Sequence, residues 1–271
     1  MESVQRKKII SLVPSITEII YYLGLEEQLV GVTEHCNYPR EAVNKEKIGT
    51  FGKPELEKIL TINPDVVLAD KSVHKKTIDE LIKNNIEIIA FTNSNLEEVF
   101  NSMYEIGKVC DKEDQVQTLI ESLRKRVENL NRIRIDRRPR VFRLMNTNPF
   151  ITPGIGSFQY DALSSAGAKL MDFNSNDSYI KVTLDQIKEF DPEIILFCGV
   201  ERGQTPKPRC KGCNVNSPIC QRTVDDILDN EWEEITAVKK GRVFPISCDT
   251  LCRPGPRLID GVEKLHNLYF R

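Results

Sequence analysis

A chain of 271 residues, 40% hydrophobic and 29% charged, carries enough apolar mass to bury a sizeable core as one large domain or two lobes. Lys+Arg 38 against Asp+Glu 40 leaves a net charge of -2, which removes any general case for nucleic acid or an anionic membrane surface as partner. No apolar stretch approaches the length of a bilayer span, and the run of about five apolar residues after the basic N-terminus is too short for the core of a secretion signal. The expected location is therefore cytoplasmic as written, and extracytoplasmic or periplasmic if a leader has been removed.

Short apolar runs alternate with segments of helical period. Ile9–Val13, Leu29–Val32, Val66–Ala69 and Ile86–Phe91 precede the middle of the chain, and Val141–Met145, Ile194–Phe197 and Arg242–Ile246 follow it. Runs of this length, apolar nearly throughout, predict strands buried on both faces of parallel sheets. Leu56 to Ile62, Thr77 to Asn84 and Leu184 to Phe190 predict helices between them, so the class is α/β. Asp114 to Ile135 places Val116, Leu119, Ile120, Leu123, Val127 and Leu130 on one helical face without an internal Gly or Pro. About twenty such residues make a helix of about 30 Å. The basic run Arg132 to Arg140 beyond it reads as a solvated helix end and linker.

One internal comparison organises the chain. Leu56-Glu57-Lys58-Ile59 followed by Asn63-Pro64-Asp65-Val66-Val67 resembles Leu184-Asp185-Gln186-Ile187 followed by Asp191-Pro192-Glu193-Ile194-Ile195. Each is a short helix stopped by a proline that then feeds a buried strand. The expectation is an N-terminal α/β lobe over residues 1–113, a linker helix over 114–136 and a C-terminal α/β lobe over 137–271. Parallel sheets take ligands beyond the carboxyl ends of their strands, so two facing lobes would share one cleft.

Eight cysteines in a chain this large point to metal or redox chemistry before disulfide staples. Cys210-x-x-Cys213, Cys220 and the pair Cys248 and Cys252 crowd one C-terminal stretch, and Cys198 ends the strand Ile194 to Phe197. Such thiols on Gly- and Pro-containing loops are soft ligands for an iron–sulfur cluster, with four irons favoured by the spacing, or for a structural zinc. Disulfides among them are the competing reading. Cys110, in a helical pattern with Met103 and Ile106, reads as a buried small hydrophobe. Ser15-Ile16-Thr17-Glu18 reads as a capping box whose helix start could instead offer N–H donors to an anionic part of a ligand.

The segment Ile9 to Glu18, then Leu23-Gly24, Val30-Gly31-Val32-Thr33, Ile48-Gly49 and Leu56-Glu57 with Asn63-Pro64-Asp65 together resemble the helical-backbone class of ABC-transporter substrate-binding proteins. Val224 to Leu228 and Arg253-Pro254-Gly255-Pro256-Arg257-Leu258 are similar to its cobalamin-binding branch, and Glu34-His35-Cys36-Asn37-Tyr38-Pro39 is similar to a His-Glu-Cys-Asp-Tyr-Pro segment there. The resemblance implies a non-catalytic, monomeric receptor for a corrinoid, ferric siderophore or haem. It implies a ligand-binding set of Ser15, His35, Cys36, Phe51 and Arg253, with Phe51 stacking on a macrocycle and His35 as a possible cobalt ligand. For a transporter, Glu57 and Asp185 are the candidates for docking a permease, against their reading as ordinary helix-surface charges. The six clustered cysteines from Cys198 to Cys252 depart from the family pattern. They open a second reading, a cytoplasmic iron–sulfur redox or cluster-handling protein on the same fold. No phosphate-binding glycine loop and no nucleophile–base spacing supports an enzyme.

Overall fold

The computed structural model describes residues 7–132, 137–201, 203–204 and 219–271. They fall into two compact units, the first comprising those up to Thr92 with Phe100–Glu121, the second Asn93–Val99 and those from Ser122 onward.

The first unit begins with β1 (Ile9–Ser11), α1 (Pro14–Tyr22) and β2 (Leu29–Val32). The short hairpin strands β3 (Gly49–Thr50) and β4 (Lys53–Pro54) follow, then α2 (Leu56–Ile62), β5 (Val66–Asp70), α3 (Lys75–Lys83) and β6 (Glu87–Phe91). Its main sheet has the order β2-β1-β5-β6 and is parallel throughout. The four predicted runs of the N-terminal half are these four strands. Central β1 and β5 are apolar because both faces are covered, whereas the edge strand β6 keeps Glu87 exposed. Helices α4 (Leu96–Val109) and α5 (Glu113–Arg132) each contribute residues to both units. Val116, Leu119, Ile120 and Leu123 form the buried stripe of α5, and a side chain at Gly107 of α4 would collide with Val116 at 2.3 Å. Residues 133–136 of the expected linker lie outside the described residues.

The start of α1 differs from the expected capping box. Pro14 takes the first helical position, Val13 is the N-cap with no side-chain cap bond, and Ser15 sits inside the first turn, 2% exposed. Proline is pre-organised for that position and lacks the N–H a cap would serve, so the helix starts before Ser15 can cap it.

In the second unit, β7 (Val141–Leu144), β8 (Asn146–Thr147) and β9 (Phe150–Pro153) lead to α6 (Phe158–Ser165) and β10 (Tyr179–Val182). Then come α7 (Leu184–Phe190), β11 (Ile194–Cys198), α8 (Thr236–Lys239), β12 (Val243–Ile246), α9 (Cys248–Leu251) and α10 (Arg257–Tyr269). The parallel sheet β12-β11-β7 contains the three predicted C-terminal strands, with Pro245 on the edge strand where a missing N–H is tolerated. An antiparallel sheet, β10-β9-β8, was not foreseen.

The repeat is structural as well as sequential. Both α2 and α7 are seven residues long and stop at a left-handed residue, Asn63 at φ 49° and Asp191 at φ 46°, directly before a proline. Asp191 is further fixed because its carboxylate accepts from the Thr236 backbone N–H at 2.8 Å and from Arg140 Nη2 at 3.0 Å. Those bonds hold its pKa below the usual carboxylate range.

One face of the second unit's sheet carries Phe142, Leu144, Ile195 and Phe197 into a core with Ile187, Ile235 and Trp232. Alternation along the strands puts Arg143, Leu196 and Cys198 on the other face, with Leu196 in register with Arg143. The sequence around the functional chemistry therefore follows from a period of two.

Candidate functional site

Three thiols converge in the second unit. The Sγ atoms of Cys198, Cys248 and Cys252 all lie within 4.8 Å of one another. Cys198 is the last residue of β11, and Cys248 and Cys252 open and cap the single turn of α9, where a spacing of four puts them on one helical face. Gly261 of α10 allows α9 to dock, since a Cβ there would stand 1.9 Å from the Thr250 carbonyl oxygen. Cys198 is buried, Cys252 half-buried and Cys248 exposed, so the trio reaches from the interior to solvent.

Behind it lies Arg143, 1% exposed. Its Nη2 donates to Cys198 Sγ at 2.9 Å, while its Nε and Nη1 have no partner among the described residues. Burial opposes the guanidinium charge, but the Cys198, Cys252 and Cys248 thiols outweigh it and raise its pKa. The proton distribution is uneven. Hydrogen bonds from the Cys248 and Cys252 thiols, then the Arg143 charge, hold the Cys198 thiol far below its ordinary value. Their bonds to Cys198 push Cys248 and Cys252 up. A group of this kind is a set of three sulfurs, one held as thiolate and two as thiols that donate to it, with its own buried cation.

Cys220 lies in a short 3-10 turn, Ile219–Gln221, and is half-buried outside this trio. Cys210 and Cys213 lie outside the described residues. Cys110 is buried, and burial raises its thiol pKa to about 11. A separate concavity of about 600 Å³, rimmed by Asp225, Asp229 and Glu233, does not include the cysteines. Arg253, between the trio and α10, pairs with Asp249 at 3.3 Å.

The first unit holds the other expected residues. The turn between β3 and β4 presents Phe51, half-buried, and two imidazoles hold its backbone. Its N–H donates to His35 Nδ1 at 3.2 Å, and its carbonyl accepts from His74 Nε2 at 2.7 Å. The Asp70 backbone N–H donates to His74 Nδ1 at 3.0 Å, so the His74 proton sits on Nε2. The Phe51 ring packs edge-on to His74 at 5.2 Å and to His35 at 6.5 Å. His74 is 1% exposed and gave no signal in the sequence beyond being a histidine near a strand end.

This geometry bears on two expectations. The His35 Nδ1 accepts from the Phe51 N–H, and the neutral tautomer that keeps this bond carries its proton on Nε2. Cys36 is 1% exposed, and Thr17 Oγ1 and Thr33 Oγ1 stand 3.1 and 3.2 Å from its Sγ. Burial raises its pKa, so this thiol is a packed and hydrogen-bonded interior group. Glu57 and Asp185 are exposed in the first turns of α2 and α7, at equivalent places in the repeat.

Burial also lowers the His74 pKa. The unfolded chain, with a histidine pKa of about 6.5, then binds more protons than the folded one between the two values, so stability is full above that pH and declines as pH falls toward the folded value. His74→Gln should be less stable at neutral pH, having lost the bond from Asp70, yet show a flatter thermal midpoint between about pH 7.5 and pH 5. Melting curves at matched ionic strength check this, and parallel slopes in both proteins would refute it.

The periplasmic binding protein family profile matches residues 9–249, and the chain belongs to that family. It is 30% identical over 268 residues, 96% of this chain and 78% of the relative, to an uncharacterized ABC transporter substrate-binding lipoprotein of Bacillus subtilis, YvrC. It is 24% identical over 259 residues, 94% and 86% of the two chains, to a vitamin B12-binding protein of Vibrio parahaemolyticus. The periplasmic heme-binding protein RhuT of Roseiflexus sp. RS-1 shares the fold at a TM-score of 0.77, with 20% identity and coverage of 97% and 98%. The chain is accordingly a substrate-binding protein and not an enzyme. No described helix is long and apolar enough to cross a membrane.

Proposed function

We propose that the protein binds a corrinoid, or another flat metal chelate of that kind, outside the cytoplasm and delivers it to an ABC permease. The observation that carries this reading is the similarity to a vitamin B12-binding protein over 94% of the chain. The Phe51 turn supports it, because an aromatic ring on a braced turn suits stacking against a macrocycle. His35 contributes in this reading as a hydrogen-bond donor. In this reading Ser15 and Cys36 are buried members of the first unit's share of the site, Arg253 carries positive charge in the second unit, and Glu57 and Asp185 are the carboxylates that meet a permease.

Isothermal titration of the purified protein with cyanocobalamin, dicyanocobinamide and haemin tests the reading. Saturable one-to-one binding of a corrinoid is expected, weakened about fivefold in Phe51→Ala through loss of a stacking contact of about 1 kcal/mol. Binding of haemin alone would replace the corrinoid with a porphyrin. Binding of none of the three would overturn the chelate reading.

We infer further that Cys198, Cys248 and Cys252 form a thiolate metal centre in the second unit. Of the two metals considered from the sequence, an iron–sulfur cluster and zinc, both use such ligands. Convergence of the three Sγ atoms supports the centre itself.

A further inference from the structure

We propose that Cys198, Cys248 and Cys252 bind one thiophilic divalent ion of the zinc class, with a fourth coordination position open and Arg143 as its fixed counter-charge. This rests on reading the trio as a metal centre and goes further by naming the ion, its coordination and the role of a residue that the sequence did not single out.

Spacing decides between one ion and a cluster. A tetrahedral ion with metal–sulfur bonds near 2.3 Å holds its sulfurs about 3.8 Å apart. Cysteine sulfurs on different irons of a cubane are separated by an iron–iron edge and two outward bonds, about 6 Å in all. The three Sγ atoms here lie within 4.8 Å of one another, inside the range that one ion can gather with small side-chain adjustments and well short of a cubane's spread.

Charge and support agree with that choice. Three thiolates around a divalent ion leave one net negative charge, and a single buried guanidinium balances it. Arg143 stands 2.9 Å from Cys198 Sγ, and its N–H donation to a ligand sulfur is how an outer shell holds a ligand in place. Its unpartnered Nε and Nη1 mark a cation whose environment, among the described residues, is incomplete. The ligands sit on regular elements, the end of β11 and one face of α9, and so are placed before any ion arrives. Exposure of Cys248 gives ions a route in and leaves the outer side to water or an incoming donor atom.

Cobalt substitution tests this on the full chain, stripped of metal and kept reduced under anaerobic conditions. One Co²⁺ per chain is expected, with sulfur-to-cobalt charge-transfer absorption and the visible bands of a tetrahedral ion, all abolished by one equivalent of Zn²⁺. Cys248→Ser, at the trio's exposed residue and with circular dichroism to check the fold, should remove about a third of the charge-transfer intensity and weaken Zn²⁺ binding at least tenfold. Cys198→Ser should do the same. Unchanged spectra in both variants would place the ion elsewhere and overturn the site. Iron and sulfide in equal amounts, lost in the same variants, would overturn the single ion while leaving a thiolate centre standing. A chain that binds neither would overturn both, and none of these results bears on corrinoid binding.

Discussion

Arg143→Met should make the metal-free protein less stable and a poorer metal binder at once. The guanidinium is buried with its Nη2 donating to Cys198 Sγ at 2.9 Å, so its removal leaves a buried sulfur without the cation that holds it as thiolate. Methionine fills a similar length with apolar atoms but supplies neither charge nor donor. Removing one partner of a buried ionic pair typically costs about 3–5 kcal/mol. A denaturant titration of the reduced, metal-free proteins should show a lower midpoint with an unchanged slope, and the Co²⁺ affinity of the variant should fall. An unchanged or higher midpoint would show that Cys198 takes up a proton at little cost and that the folded chain does not depend on this charge.

The second large effect belongs to Trp232. It is the chain's one tryptophan, 1% exposed, and it meets Phe150 edge-on with ring centroids 5.4 Å apart. Around it stand Phe142, Phe197, Ile187 and Ile195 from β7, β11 and α7. Trp232→Ala should cost about 3–5 kcal/mol, because the rigid sheet and helices cannot collapse into so large a void. That is a large fraction of the stability of an ordinary domain. Far-UV circular dichroism must follow the melt, since the variant has no indole to report. A loss below about 1 kcal/mol would mean that the core repacks freely around this position.

Much of the fold was legible because it is written in burial. All seven strands of the two parallel sheets were predicted from apolar runs, since a strand covered on both faces has no polar alternation to hide it. The helix–proline–strand repeat was legible as well, and the structure adds the left-handed Asn63 and Asp191 that make each helix stop there. The antiparallel strands escaped notice. Asn146–Thr147 is two residues long, and Tyr179–Val182 keeps Tyr179 and Lys181 exposed, so neither carries a run that stands out from loop sequence.

The site was legible in part. Cys198 at a strand's end and the Cys248/Cys252 spacing pointed to the trio, whereas Cys220 sits outside it. Arg143 was passed over as one letter of an apolar strand. Its signal was there, a charge at an inward position of a strand with both faces covered, but only the register with Leu196 shows what that charge faces. Ser15 was misjudged because Pro14 claims the helix start. His74 could not have been singled out, because its two bonds are to backbone atoms of Asp70 and Phe51, which no side-chain pattern encodes.

The doubly held turn at Phe51 has a thermodynamic consequence. Because imidazoles grip both the N–H and the carbonyl of that residue, the backbone freedom of the loop tip is surrendered when the chain folds and not when a guest arrives. A planar molecule settling on the ring would meet a surface already frozen in place, and more of the contact energy would survive as affinity.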